Sequence, residues 1–228
     1  MFDAVAEGYD RMNAVMTFGQ ERRWRAVVAR ELNLRAGDRV LDLAAGTGAS
    51  SVPFQEAGAH VVACDFSQGM LAVGRREHPD LDLVAGDALR LPFRDGTFDA
   101  VTISFGLRNV ADVDAALREL ARVTRVRGRL VVLETSAPLG QPMRAAHGVY
   151  VDRLLPGLAR LVSSDAEAYS YLAESVGSWP APEPLARQIS AAGWAVARWR
   201  QLMLGAVALH TATKPPEPAG SRTGAGQP

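Results

Sequence analysis

Apolar residues in this chain fall into short runs separated by stretches of helical spacing. The runs "RVLDLA" (39–44), "HVVACD" (60–65), "LDLVAGD" (81–87), "FDAVTIS" (98–104) and "RLVVLETS" (129–136) are each bounded by turn residues, as buried strands are. A helix is expected after the first run, to about residue 57, and another after the second, where the Ser67 hydroxyl is placed to accept from an N–H of the first turn. Between the last two runs, Val113, Leu117, Leu120 and Val123 recur on one helical face. This alternation predicts an α/β fold, a doubly wound, mostly parallel sheet with helices on both faces. Two helical segments, 2–15 and 20–32, precede it. Behind it come an amphipathic stretch over 142–161, a helix from "PAPEPL" to residue 192, and strands over 196–203 and 207–213. The tail from Pro215 lacks apolar residues that would offset the entropy of ordering it, and disorder is expected there.

Composition narrows the function classes. At 228 residues and 48% hydrophobic the chain can bury a substantial core, and 25 basic against 25 acidic side chains create no field of one sign. Nucleic acid is therefore not an expected partner. The single cysteine, Cys64, lies in an apolar run and cannot form an internal disulfide, which suits a reducing, cytoplasmic setting. No leader and no run long enough to span a membrane is read from the sequence, and no Cys/His cluster suggests a metal.

The candidate chemistry lies at strand ends. "LAAGTGASS" sets Gly46, Thr47 and Gly48 between a strand and a helix, where missing Cβ atoms let a ligand approach the backbone. Ser51 stands where a dinucleotide fingerprint has its third glycine, which argues against a nicotinamide enzyme. Asp65, Asp87 and Ser104 close three successive runs and are expected at the carboxyl edge of the sheet, where open α/β sheets bind ligands. Asp65 suits two ribose hydroxyls, and Asp87 with the Ala88 N–H suits an adenine edge. An acid at a strand end can equally well cap the next helix.

Taken together, these residues resemble the seven-stranded S-adenosylmethionine-dependent methyltransferases, and more narrowly the family that methylates demethylmenaquinol and, in some members, a polyprenyl methoxybenzoquinol. "FDAVAEGYDRMNAVMTFGQERRWR" is similar to that family's opening signature and "SFGLRNVAD" to its central one, while "AYSYLAESVGSWP" and "LMLGAVALHTATKP" resemble its closing segments. The resemblance runs from residue 2 to 215, with Ala173 where proline is common and fewer residues ahead of the Phe-Asp pair than many relatives carry. It implies one methyltransferase domain over 1–214, comprising a helical lid (1–35), a cofactor-binding core (36–136), a substrate cover (137–192) and a closing strand pair (193–214). It also implies S-adenosyl-L-methionine as cofactor, contacted by Thr47, Asp65, Asp87, Ala88 and Ser104, with Tyr9 in the lid.

Methyl transfer to carbon needs a nucleophilic ring carbon, and ionising an adjacent phenol supplies one. Gly106 is expected to leave room for a flat ring, Arg108 to stabilise the phenolate or polarise a water, and Asn109 to orient that water. A pairing of Arg108 with Asp112 and a capping role for Asn109 remain open, as does Trp24 as lid lining or as core packing. His210 is the titratable group expected nearest the edge for proton removal, against a structural role. The lipophilic quinol implies peripheral contact with the inner face of the cell membrane, and a homodimer is left open.

Overall fold

In the computed structural model, which describes Ala6, Thr17, 19–138, Gly140, Trp179 and 181–216, seven strands form one sheet. In chain order the elements are α1 (Glu21–Leu32), β1 (Arg39–Leu43), α2 (Val52–Glu56), β2 (His60–Asp65), α3 (Gln68–Glu77), β3 (Asp82–Ala85), β4 (Phe98–Ser104), α4 (Val113–Val123), β5 (Thr124–Thr135), α5 (Pro182–Ala191), β6 (Ala195–Leu202) and β7 (Val207–Thr213). The sheet order is β3-β2-β1-β4-β5-β7-β6, parallel throughout except that β7 runs antiparallel to both neighbours. The order reverses at β1, so the gap beyond the ends of β1 and β4 is the switch point where such sheets bind ligands.

Both faces of the central strands are covered, which is why β1 and β4 read as continuous apolar runs rather than alternating ones. On one face α1 sets Trp24, Val28 and Leu32 against Val40, Ala100 and Val131. On the other, Leu117 and Leu120 of α4 and Leu185 and Ile189 of α5 pack against Leu41, Val101 and Val132. Ser67 caps α3 through Met70 N–H at 3.1 Å, as its sequence position predicts.

Three differences from the boundaries read in the sequence bear on the site. β3 ends at Ala85, so Asp87 lies beyond the strand rather than closing it. β5 begins at Thr124, because a bulge absorbs the polar "RVRG" stretch between the pairs Phe98–Thr124 and Ala100–Arg129. α2 is a five-residue helix that starts only at Val52, so the glycine turn leads into further turns instead of a helix. The segments expected over 2–15 and 142–161 lie outside the described residues, apart from Ala6, which packs on Met70 and Val73 of α3.

Candidate active site

At the end of β1 the chain turns through Ala44, Gly46 and Gly48, all with positive φ (54°, 60° and 86°). Gly46 N–H donates to Asp65 Oδ2 at 2.8 Å, and Asp65 Oδ1 accepts from Ser67 N–H at 2.8 Å. Asp65 thereby ties the turn to the end of β2, and a carboxylate with four lone-pair sites can still accept from a ligand. Next to it Phe66 is 78% exposed, a flat apolar face beside the carboxylate that the sequence reading did not single out. Thr47 is buried, and its carbonyl lies so close to α3 that a Cβ on Gly74 would sit 2.5 Å from it.

A second acid of the turn was also missed. Asp42 on β1 is 1% exposed and its Oδ2 accepts from the Ser50 and Ser51 hydroxyls, each at 2.8 Å. Ser51 therefore holds a carboxylate at the position where a dinucleotide fingerprint has a glycine. Burial pushes the Asp42 carboxyl up to about 6, the two serine bonds pull it down, and the nearby Asp65 charge raises it again. A raised folded-state value means stability that is present below the ordinary value of 3.8 and lost as pH rises through about 6. Asp42→Asn keeps an oxygen for both hydroxyls and should raise stability above pH 6 by about 3 kcal/mol, at ~1.4 kcal/mol per pH unit between the two values. The gain should vanish below about pH 4, where the carboxyl is protonated in folded and unfolded chains alike. Denaturant midpoints taken across that range measure it.

"SFGLRN" is fully accounted for by the loop after β4. Phe105 (φ 56°) donates its N–H to Leu133 O at 2.8 Å and sets its ring on Trp24, with centroids 5.1 Å apart, so Trp24 packs α1 to the core. Gly106 is glycine because a Cβ there would overlap that of Ala44, which is a contact between two loops rather than space for a ring. Leu107 is buried in the α4 face of the core. The Arg108 side chain is only 9% exposed and does not pair with Asp112. Its Nη1 donates to Glu134 Oε1 at 2.6 Å and to Phe105 O at 2.7 Å, while Asp112 caps α4 by accepting from Ala115 N–H. Glu134, next to last on β5, has a side chain 0% exposed and was not foreseen. Its only sequence signal is an acid placed at the end of an apolar run.

The other expected residues are distributed unevenly. Ser104 ends β4 beside Leu133 at the same edge, and Asn109 closes the short 3-10 turn Leu107–Asn109. Asp87 is exposed and accepts from Leu89 N–H at 2.9 Å, with Ala88 half-buried beside it. Tyr9 lies outside the described residues. A groove of about 390 Å³ along the β2–β3 edge, lined by Val62, Leu83 and Phe93 among others, contains none of these residues.

His210 lies inside the sheet rather than at its carboxyl edge. It pairs with Val132, three residue pairs inward of Thr135–Val207, and is 1% exposed. Its Nε2 lies 2.8 Å from Pro182 O, and because a carbonyl can only accept, Nε2 carries the proton. Burial lowers its pKa, the Pro182 bond opposing, so folding stability is whole above the ordinary 6.5 and declines as pH falls below it. The geometry fits a tie between β7 and α5. His210→Gln, which preserves an Nε donor, should keep activity within about threefold and flatten that acid-side decline, as thermal melts at pH 5 and 7 would show.

A family model described as the ubiE/COQ5 methyltransferase family matches residues 1–214. The chain belongs to this family. It is 55% identical over 214 residues to a protein of Streptomyces avermitilis named demethylmenaquinone methyltransferase, covering 94% of this chain and 93% of that one. The family's fold extends well beyond it. A chain of the complex between the Haloferax volcanii Trm112 methyltransferase activator and a methyltransferase superposes with a TM-score of 0.69 at 17% identity, over 94% of this chain and 98% of that chain. The [4+2]-cyclase SpnF superposes at 0.64 with 21% identity, over 85% and 80%. A cyclase on this scaffold shows that the sheet by itself does not name a reaction, so the site must.

Proposed function

We propose that this member of the ubiE/COQ5 family transfers a methyl group from S-adenosyl-L-methionine to a ring carbon of demethylmenaquinol, giving menaquinol. The observation that carries the reading is the largely buried Arg108 cation, held one loop contact away from a turn that is tied to two carboxylates. That turn fits the cofactor. Asp42 and Asp65 place negative charge where a ligand bearing a sulfonium and an ammonium gains from it and a diphosphate does not. Asp65, tied to the Gly46 amide, would hold the ribose side, and Phe66, Asp87 and Ala88 the adenine. When bound, S-adenosylmethionine supplies an electrophilic methyl group.

The chain's own residues prepare the acceptor. A phenol titrates near ~10, and a fixed guanidinium beside its oxygen favours the phenolate, which raises electron density on the adjacent ring carbon. Arg108 serves as that cation, and Asn109 orients a water that takes the phenol proton. No proton passes to Arg108, because a guanidinium has no acceptor atom. His210, enclosed beneath α5, is left out of the proton path.

Contact with a lipid surface belongs to the proposal as well. Met203 and Leu204, 46% and 77% exposed, form the turn that leads into Val207, the partner of Thr135 at the carboxyl edge. Both hold positive φ, 46° and 56°, a costly conformation for non-glycine residues that keeps two apolar side chains outward. Among the described residues no helix is long and apolar enough to cross a membrane, so any contact by these residues is at a surface.

Anaerobic incubation of the protein with labelled S-adenosylmethionine and chemically reduced demethylmenaquinone tests the reading. Methylated menaquinol from the reduced acceptor and none from the oxidised quinone is the expected result. Turnover of the oxidised form would remove the phenolate step, and no product from either would remove the acceptor assignment.

A further inference from the structure

Arg108 is held by one end of its guanidinium. Nη1 takes both Glu134 Oε1 and Phe105 O, whereas Nε is buried and makes no hydrogen bond among the described residues. An unmet donor at that depth costs about 1–3 kcal/mol, a cost that an incoming acceptor oxygen would relieve. Glu134 is also committed on both oxygens. Oε1 accepts from Thr135 N–H at 2.7 Å as well as from Arg108, and Oε2 accepts from Arg108 N–H at 3.3 Å. The carboxylate thus grips the residue at backbone and side chain together.

Resting on the proposed reaction, we infer that Glu134 is a positioning residue for it: by clamping Arg108 N and Nη1, it leaves the Nε–H of Arg108 as the donor for the acceptor's phenolate oxygen. Its second effect is on charge. As the counter-ion it weakens the attraction that a bare guanidinium would exert on an anion, and what remains is directional. Rigid placement of a donor is what oxyanion stabilisation requires, since a donor that must reorient adds that work to the barrier. His210, two residue pairs inward of Glu134–Ala208 on the same face of the sheet, is a titratable neighbour among the described residues, and burial lowers its pKa from the ordinary 6.5, far from the range in which a phenol ionises.

Two substitutions separate position from charge. Glu134→Asp keeps the charge and withdraws the carboxylate by one methylene, whereas Glu134→Gln keeps the reach and removes the charge. With reduced demethylmenaquinone under anaerobic conditions, Glu134→Asp is expected to lower kcat about 100-fold with the KM for S-adenosylmethionine unchanged and the pH profile unmoved. Glu134→Gln should lose less than tenfold in kcat, with the acid limb of kcat/KM moved about one pH unit lower. Equal losses in both variants that track their thermal melts, with no movement of the limb, would overturn the inference.

A binding measurement needs no turnover and keeps this outcome apart from a failure of the reaction itself. In protein saturated with S-adenosylhomocysteine, 2-naphthol serves as the oxyanion probe. Its ionised form should shift the Arg108 Nε–H proton resonance downfield in the wild type and leave it in place in Glu134→Asp. The same shift in both proteins sinks the positioning role, whatever acceptor the enzyme methylates.

Discussion

Arg108→Ala is expected to lower turnover of the reduced acceptor by about 10²–10³-fold, the usual loss when one preorganised oxyanion donor is removed. Cofactor binding should survive, because the groups proposed to face it sit on β1, in the turn after it, and at the ends of β2 and β3. The substitution also strands a fully buried carboxylate, and breaking a buried pair from one side can cost 3–5 kcal/mol. Arg108→Leu with Glu134→Gln avoids that penalty and should remain folded with the same loss of kcat. Rates at saturating S-adenosylmethionine, set beside calorimetric affinities for S-adenosylhomocysteine, separate the two effects. Activity near the wild-type level in the folded double variant would leave the phenolate without its cation.

Gly106→Ala should also have a large effect, and for a reason unrelated to substrate. The added Cβ would overlap that of Ala44, so the loops after β1 and β4 must part where both bend toward the site. A loss of about 1–3 kcal/mol in stability is expected from overpacking at a buried contact, and turnover should fall with it. Ala44→Gly offers the compensation. It removes the opposing Cβ, and at φ 54° glycine is the residue that the backbone prefers. The pair Gly106→Ala with Ala44→Gly should therefore recover most of the stability, a coupling that a double-mutant cycle of chemical denaturation reads directly. Additive effects would show that the two loops do not meet as described.

Much of the sheet is legible in the chain because burial on both faces leaves continuous apolar runs, and β2, β4 and β7 begin and end where those runs do. β3 and β5 are harder to delimit. An edge strand needs few apolar residues, and a bulged strand can carry arginines and a glycine without losing its pairing. In the site, the glycines and Asp65 could be located from their place between a strand and a turn. The partners of those residues could not. Glu134 and Arg108 are 26 positions apart, and Asp42 is explained only once Ser50 and Ser51 fold back over it. His210 illustrates the opposite difficulty, since a strand periodicity shows which residues share a face but not how far from the edge a side chain lies.

The exchange of glycine for Ser51 has a consequence for molecular selection in a crowded metabolite pool. A phosphate-binding turn attracts every abundant nucleotide, and an enzyme that used one would spend much of its time occupied by molecules it cannot use. Here Ser50 and Ser51 of the same bend are tied to Asp42 on β1, and its Gly46 amide to Asp65 on β2. The polarity of the turn is inverted. In the proposed site adenosine is recognised by shape, a polyphosphate attached to it would be repelled by Asp65 and by the buried Asp42 charge, and a positively charged sulfur would meet a complementary field. Discrimination between adenosine compounds is thus built into the floor of the site, before the acceptor arrives.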